Sequence, residues 1–205
     1  MANVNAGSAY DATPPAEVST QVGYIKTTTH NHISRSATIH GSRQVEIKGR
    51  TVLEAETAIH GDLALVRIGR YVYVESGTTL RPAPQPQLMI PIDSSTTYIP
   101  MIIGSHTIIG SNCMIQAAAI GSFCCIGNNV TIGERVIVKD CCVIADNVTL
   151  GPDTVIPPFT RLDVPRRPEF RWIAPACVEL PPGTMTVLQN RSMDKYQDFS
   201  RSKQV

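Results

Sequence analysis

An aliphatic residue returns at a fixed interval along most of this chain. In the second half the series is Ile103, Ile109, Ile115, Ile120, Ile126, Ile132, Val138, Ile144, Leu150 and Ile156. Every step is six residues except the step from Ile115 to Ile120, which is five. A small or β-branched residue stands two positions earlier, such as Ala118 before Ile120, and a glycine often follows. A period of six matches neither an α-helix nor an alternating strand, and it is the hexapeptide signature of a parallel β-helix.

This repeat predicts an all-β fold in the shape of a triangular prism. Three hexapeptides complete one coil of about 18 residues, and the aliphatic residues fill its interior. The small residue two positions earlier fits the remaining space, and the glycine eases the turn. Successive coils stack at about 4.8 Å, the spacing of strands in any sheet, so the backbone hydrogen bonds run along the prism axis.

The first half repeats less regularly and contains two breaks. Its aliphatic series is Ile47, Leu53, Ile59, Ile68, Val74 and Leu80. The step from Ile59 to Ile68 is nine, which places three extra residues around positions 61–63. A larger break follows Leu80, where residues 81–102 contain five prolines and cannot form a regular coil. We therefore predict a β-helix over residues 23–162 with a Pro-rich loop excursion at 81–102.

The flanking segments have a different composition. Residues 1–22 are rich in Ala, Ser, Thr, Asn and Pro, which predicts a disordered N-terminal tail. Residues 163–205 are interpreted as a linker and a C-terminal helix. Within 184–200 the apolar residues Leu188, Met193, Tyr196 and Phe199 have amphipathic helical spacing. We expect this helix to lie along one face of the prism.

Composition and charge exclude several classes of protein. The 205 residues include 18 basic and 17 acidic side chains, for a net charge of +1. This balance does not provide the broad basic face of a general nucleic-acid binder. No apolar run approaches 18 residues, so no transmembrane segment is predicted, and the first 22 residues do not form a secretory signal. Six cysteines without such a signal indicate reduced thiols in the cytoplasm.

The cysteines and histidines supply the candidate chemistry. Cys113, Cys124 and Cys142 fall at the small inward position of the repeat, so we expect them to pack in the core. Cys125 and Cys141 flank this position and are expected to face outward. No phosphate-binding loop, nucleophile elbow or well-spaced carboxylate pair is present.

Four histidines are candidate functional residues. His60 is a candidate general base for a hexapeptide acyltransferase, but a partly buried histidine beside Asp62 and Arg67 is the favoured interpretation. His106 is expected to be a solvated turn histidine. His30 and His32 form a pair without an obvious third metal ligand.

Three segments resemble the γ-class carbonic anhydrases: 58–62 (AIHGD), 66–69 (VRIG) and 74–77 (VESG). That family holds zinc with three histidines across a trimer interface. Its ligand positions fall on Arg81, Ser111 and Gln116 in this chain, and none is a histidine. Arg81 would also repel a dication by roughly 8 kcal/mol at ~4 Å and an effective dielectric of ~20. We therefore expect no metal site, no cofactor and no catalytic residue.

A second resemblance covers more of the chain. Segments 61–70 (GDLALVRIGR), 80–82 (LRP), 116–122 (QAAAIGS), 139–142 (KDCC) and 155–160 (VIPPFT) resemble the dynactin subunit 5 family. The similarity spans roughly residues 23–160 and is weaker in the last ten. It implies a left-handed β-helix, although the usual crossover rule favours right-handed connections. It also implies a non-catalytic structural and interaction subunit at the pointed end of dynactin, which supports cargo and adaptor attachment to dynein in microtubule-based transport.

The resemblance also implies the partners and the location. These are a second β-helical dynactin subunit (subunit 6-like), the pointed-end actin-related protein and other dynactin subunits, in the cytoplasm and on the cytoskeleton. An exposed Pro-rich loop is a common binding element, so Arg81, Pro82, Pro84 and Pro86 are the predicted partner surface. Two alternatives stay open. One is a homotrimeric enzyme of the γ-carbonic-anhydrase or hexapeptide acyltransferase type, and the other is a homotrimeric binding module with unrelated partners.

Overall fold

The computed structural model of the chain describes residues 23–86, 97–164 and 176–203. Within these ranges the backbone winds through three sheets that form the sides of a prism, and one helix packs on the outside. The predicted disordered tail at 1–22 lies outside the described residues, as do 87–96 of the loop and 165–175 of the linker. The predicted parallel β-helix with a C-terminal helix is confirmed.

Sheet A has nine strands along the prism axis. In spatial order they are β1 (Tyr24–Lys26), β2 (His32–Ser34), β5 (Val52–Leu53), β8 (Tyr73–Val74), β11 (Ile108–Ile109), β14 (Cys125–Ile126), β17 (Val143–Ile144), β20 (Thr160–Asp163) and β21 (Ala176–Glu179). The strands from β2 to β20 pair in parallel, and the first and last pairs are antiparallel.

Sheets B and C have six parallel strands each. Sheet B contains β3 (Thr38–His40), β6 (Ala58–His60), β9 (Thr79–Leu80), β12 (Met114–Ile115), β15 (Thr131–Ile132) and β18 (Thr149–Leu150). Sheet C contains β4 (Val45–Gly49), β7 (Val66–Arg70), β10 (Met101–Ile103), β13 (Ala119–Ile120), β16 (Ile137–Val138) and β19 (Val155–Ile156). A short 3₁₀ turn, Ser42–Gln44, precedes β4.

The aliphatic series predicted from the repeat forms three columns inside the prism. In sheet A the column is Ile33, Leu53, Val74, Ile109, Ile126, Ile144 and Leu162, each paired in register with the next. Sheets B and C contribute equivalent columns. Most of these side chains are completely buried, so they form one continuous core along the axis.

The small inward position holds a threonine or a cysteine in several coils because both can donate one hydrogen bond. Thr78 Oγ1 donates to the Gly110 carbonyl at 2.7 Å, and Thr107 Oγ1 donates to Gly121 at 3.0 Å. The thiols make the same bond to the next coil: Cys113 Sγ donates to the Gly127 carbonyl and Cys142 Sγ to that of Pro157, both at 3.1 Å. Each buried donor is therefore satisfied.

The two cysteines expected to face outward, Cys125 and Cys141, are both buried, which the repeat did not predict. Cys125 does point away from the prism interior. It is nevertheless covered, because it belongs to a cluster on the outer side of sheet A that includes Leu188 of the C-terminal helix. The hexapeptide pattern predicts which side chains face the interior of the prism, but it does not predict which outward side chains another element covers.

The ends of sheet A are closed by antiparallel strands. At the N-terminal end β1 pairs with β2, and at the other end β21 pairs with β20 along four residues. An unpaired strand edge is a template for unwanted pairing, and these strands occupy that edge. β21 lies in the segment interpreted as a linker, where its exposed residues show no apolar period.

Helix α1 (Thr184–Ser202) lies against the outer side of sheet A, as its amphipathic spacing predicts. Leu188 packs in a cluster with Val52, Ile108 and Cys125, and Tyr196 and Phe199 extend this cluster toward the N-terminal coils. No helix in the described parts of the chain is long and apolar enough to span a membrane.

Candidate interaction surface

Every break in the six-residue repeat falls at one edge of the prism. Steps from sheet A to sheet B are all six residues, and so are steps from sheet C to sheet A. The steps from sheet B to sheet C vary: Ile39 to Ile47, Ile59 to Ile68, Leu80 to Ile103, Ile115 to Ile120, Ile132 to Val138 and Leu150 to Ile156. The insertions and the deletion therefore share one edge, which we call the B–C edge.

A left-handed residue closes the B–C edge where the repeat is regular. Arg135 and Asp153 both have φ near 59° and occupy this turn in successive coils. At the five-residue step none of residues 116–119, all of them described, has a positive φ. The backbone there cuts the corner, and Ala117 is completely buried while Ala118 is only half-buried. The inward position assigned to Ala118 therefore belongs to Ala117.

The Pro-rich loop leaves the prism at this edge as a short paired arm. Pro84 and Tyr98 form an antiparallel bridge. The amide of Gln85 donates to the Thr97 carbonyl at 2.8 Å, and the amide of Ile99 donates to the Ala83 carbonyl at 2.8 Å. We call residues 81–86 and 97–100 the loop arm. Residues 101–102, which were assigned to the loop, already belong to strand β10.

Arg135 ties the loop arm to the prism. Its Nη1 atom donates to the Pro84 carbonyl at 3.3 Å, and the guanidinium binds both oxygens of Asp153 at 2.6 and 2.7 Å. The Oε2 atom of Glu134 lies 3.0 Å from Nη1 of Arg135 and adds a second ion pair. The hydrogen bonds from Arg135 hold the pKa of Asp153 below its ordinary value. The base of the arm is thus fixed by a bidentate, charge-assisted pair.

The four residues of the predicted partner surface lie in this arm but differ in exposure. Arg81 and Pro86 are exposed, and Pro84 is half-buried. Pro82 is buried next to the completely buried Ala83, so it packs at the base of the arm. The prediction treated the whole loop as exposed because its composition does not show where the chain turns back against the prism.

Of the three residues expected at the zinc-ligand positions of the γ-carbonic anhydrases, Arg81 and Gln116 are neighbours in adjacent coils, and Ser111 has separate surroundings. Arg81 and Gln116 follow Leu80 and Ile115, which pair in register on sheet B. Ser111 Oγ donates to Glu75 Oε2 at 2.8 Å. Among the described residues, no three His, Cys, Asp or Glu side chains are close enough to hold a metal ion.

Glu75 links this serine to the C-terminal helix. Its other carboxylate oxygen pairs with Nζ of Lys195 in α1. Burial of Glu75 opposes ionisation, but the hydrogen bonds from Lys195 and Ser111 outweigh it and lower the pKa of the carboxyl. Lys195 also lies 4.4 Å from the centroid of the Tyr73 ring. Ser111 therefore contributes to docking of α1, a role that the sequence did not suggest.

The candidate histidines are part of packed contacts. His60 stacks on His40 with ring centroids 4.8 Å apart, and its Nδ1 lies 3.5 Å from Asp62. His106 is not the solvated residue that was expected. Its ring stacks between Tyr71 and Phe123, and its Nδ1 lies 3.0 Å from Oγ of Ser192 in α1. The Ser192 hydroxyl donates to the Gln189 carbonyl, so it accepts the proton of His106 Nδ1.

Sheets B and C present different outer faces. On sheet B the outward row is Thr38, Ala58, Thr79, Met114, Thr131 and Thr149. On sheet C the row begins with Glu46 and Arg67, which form an ion pair at 2.8 Å, and continues with Ile102, Ala119, Ile137 and Val155. These last four residues are called the sheet C apolar row. Ile102 is 46% exposed and Val155 is 57% exposed.

Comparisons with known proteins identify the family. A solved structure of a hexapeptide transferase family protein from Anaplasma phagocytophilum superposes with a TM-score of 0.56, at 14% identity, over 88% of this chain and 98% of that chain. This likeness shows a shared β-helix fold. Dynactin subunit 5 from Dictyostelium discoideum is 42% identical over 96 residues, which are 47% of this chain and 46% of the relative, so the chain spans about half the length of that curated relative. The family model described as dynactin subunit 5 matches residues 17–205, and the chain therefore belongs to the dynactin subunit 5 family.

Proposed function

We propose that this protein is a non-catalytic structural and interaction subunit of dynactin. It acts at the pointed end of the complex, in the cytoplasm and on the cytoskeleton, and supports attachment of cargo and adaptors to dynein. Family membership supports the role in dynactin. One observation supports the mode of action: the sheet C apolar row has two exposed residues, Ile102 and Val155, and two half-buried ones, whereas the protein's own helix covers sheet A.

The sheet C apolar row has the properties of a protein-binding strip. Its four residues project from strands stacked at about 4.8 Å, so the row extends along three strand gaps, roughly 14 Å. A contiguous strip of aliphatic side chains that are at least partly accessible to solvent is typical of a protein contact. A flat sheet packs most readily against another flat sheet, at about 10 Å. We therefore assign this face to the second β-helical subunit (subunit 6-like).

The loop arm supplies a separate contact beside this face. Arg81 and Pro86 are exposed on a base that Arg135 fixes to the prism, so the arm presents a preformed surface. We assign this arm to the pointed-end actin-related protein and the other dynactin subunits. Its position on the B–C edge allows both contacts at once, because the edge borders sheet C.

The non-enzymatic role is supported by the residues at the three zinc positions of the γ-carbonic anhydrases. Arginine, serine and glutamine are not normal zinc ligands, since zinc prefers imidazole, thiolate and carboxylate. Ser111 is moreover committed to Glu75, and through Glu75 to the docked helix. These contacts favour a scaffold over a homotrimeric enzyme.

A matched pair of substitutions tests the proposal. Ile102 on sheet C and Met114 on sheet B are similarly exposed, at 46% and 41%, and both project from short strands. We expect Ile102→Arg to abolish recovery of the second β-helical subunit with the tagged protein, whereas Met114→Arg retains it. Both variants should melt within a few degrees of the parent. Equal recovery of that subunit by both variants, measured by quantitative mass spectrometry, would contradict the assignment.

A further inference from the structure

A basic pocket lies at the corner between sheets C and A, near the N-terminal end of the prism. It has a volume of about 280 Å³ and is lined by Thr29, Lys48, Gly49, Arg50, Arg70 and Tyr71. Three of these side chains are cationic and none is acidic. In a chain whose net charge is only +1, this is a local concentration of positive charge.

The coil geometry builds one wall of the pocket. Arg50 and Tyr71 occupy the same corner in adjacent coils, both in the left-handed conformation with φ of 52° and 56°. The amide of Arg50 donates to the Thr29 carbonyl at 3.0 Å, and that of Tyr71 to the Gly49 carbonyl at 3.2 Å. Equivalent turns therefore stack directly above one another and bring their side chains together.

Tyr71 holds the guanidinium of Arg50 in place. The Arg50 Cζ atom lies 5.3 Å from the centroid of the Tyr71 ring, and Nη1 donates to the Tyr71 hydroxyl. A guanidinium has five N–H donors, so most of them remain available after this bond. A fixed guanidinium loses less conformational freedom when it binds a ligand.

The other two cations share the pocket without a countercharge. Gly49 pairs in register with Arg70, which places Lys48, Arg50 and Arg70 on neighbouring turns of the same corner. Within the described residues none of the three forms a salt bridge, whereas Arg67 on the same sheet pairs with Glu46 at 2.8 Å. Three uncompensated like charges repel one another, and a bound anion relieves that repulsion.

We propose that this pocket binds a phosphate monoester carried on a side chain of a partner protein. A phosphate carries close to two negative charges at neutral pH, and its oxygens match the fork of a guanidinium. A carboxylate offers half that charge to three cations. The pocket is concave and holds three basic residues, fewer than the four to eight that typify basic patches on anionic membranes. It lies on a different corner from the B–C edge, and none of its lining residues belongs to the sheet C apolar row, so its test can fail without affecting the proposed function.

The test is a titration of the full chain at low salt, followed by NMR of the arginine Nε–H groups. The probes are inorganic phosphate and three otherwise identical peptides that carry phosphoserine, serine or glutamate. We expect phosphate and the phosphoserine peptide to shift the Arg50 and Arg70 signals, with the phosphoserine peptide binding at least tenfold more tightly than the other two. Arg50→Ala or Arg70→Ala should weaken this binding about tenfold, as expected for loss of a charge-assisted bond. The control Arg67→Ala should change it less than twofold.

Several outcomes would overturn the proposal. The first is that neither phosphate nor the phosphoserine peptide shifts the arginine signals. The second is that the glutamate peptide binds as tightly as the phosphoserine peptide. An equal loss of binding in Arg67→Ala would show a diffuse charge effect in place of a pocket. Binding confined to phosphatidylcholine vesicles that contain a phosphatidylinositol phosphate would assign the site to a membrane instead of a protein.

Discussion

His32 lies beneath Tyr196 of helix α1, with the two ring centroids 5.8 Å apart, and its Nε2 atom has no hydrogen-bond partner among the described residues. Phe199 covers the same ring at 5.4 Å, and His32 is only 5% exposed. Burial, together with the nearby charges of Lys26 and His30, lowers the pKa of His32. The contact between α1 and the prism therefore favours the neutral form of the His32 imidazole.

Acid should weaken this contact. Burial also lowers the pKa of His106, which bonds Ser192 of α1. A histidine whose pKa is lower in the folded state takes up fewer protons than it does unfolded, so stability is fully present above about pH 6.5 and falls as the pH drops below it. We expect faster hydrogen exchange of the α1 amides at pH 5.5 than at pH 7.5, after correction for the intrinsic rate.

Two leucine substitutions distinguish the effect of His32 on this pH dependence from that of a histidine elsewhere in the prism. His32→Leu should reduce the pH dependence of α1 exchange, because it removes one of the two histidines with a lowered pKa that contact the helix. His60→Leu, on sheet B and away from α1, should leave that pH dependence unchanged. The same pH dependence in His32→Leu and in the parent would contradict the proposed cause.

The glycines that follow the aliphatic residues allow the coils to stack. A Cβ atom added at Gly104 would lie 2.5 Å from the backbone of Gly121 and Ser122 in the next coil. At Gly151, in the last turn of sheet B, it would meet nothing within 4 Å. We expect Gly104→Ala to destabilise the protein by about 1–3 kcal/mol, and Gly151→Ala to change stability by less than about 0.5 kcal/mol.

Urea unfolding of both glycine variants provides the check. The midpoint of Gly104→Ala should fall clearly below that of the parent, while Gly151→Ala should match it. Equal midpoints for the two variants would mean that the coils can separate enough to admit a methyl group.

A charge in the aliphatic column should prevent folding. Ile126 is completely enclosed in sheet A and its neighbours in register are Ile109 and Ile144. Ile126→Asp buries an unpaired carboxylate, and we expect loss of the cooperative thermal transition seen by circular dichroism. Thr131→Asp, at an exposed position on sheet B, is the control and should melt like the parent. A normal melt for Ile126→Asp would contradict the assigned interior.

Thiol reactivity should report on docking of α1. Of the six cysteines only Cys177 is exposed, and Cys125 is covered through a cluster that includes Leu188. The native protein should therefore react rapidly with one equivalent of maleimide. Leu188→Asp, which releases the helix, should add a second rapid thiol at Cys125, identified by peptide mapping. If Leu188→Asp exposes no second reactive thiol, or one other than Cys125, the result would contradict the assigned contact between α1 and Cys125.

The prism was predictable from the sequence because its register depends on one local repeat. The six-residue step from Ile103 to Ile109 is enough to place one in the sheet C column and the other in the sheet A column. No distant contact has to be known. The covering of sheet A could not be predicted in the same way. His106 and Ser192 are separated by 86 positions, and nothing in the spacing of either segment shows which outward residues the helix covers. The burial of Cys125 and the partial burial of His106 were missed for this reason.

The B–C edge is encoded in the spacing of the repeat. Each irregular step, such as Leu80 to Ile103 and Ile115 to Ile120, is recognisable in the sequence. Assigning successive hexapeptides to three sides in turn would have placed all of them on one edge. The burial of Pro82 could not be found by such counting, because it depends on how the loop arm folds back on the prism.

The central claim is that this protein acts as an interaction subunit within dynactin, and a tagged pull-down from native cytosol tests it most directly. Co-purifying proteins would be identified and quantified by mass spectrometry. We expect recovery of a second β-helical protein, an actin-related protein and dynein–dynactin components in constant proportion to the tagged chain. Recovery of the tagged chain alone, as a homotrimer, would contradict the claim.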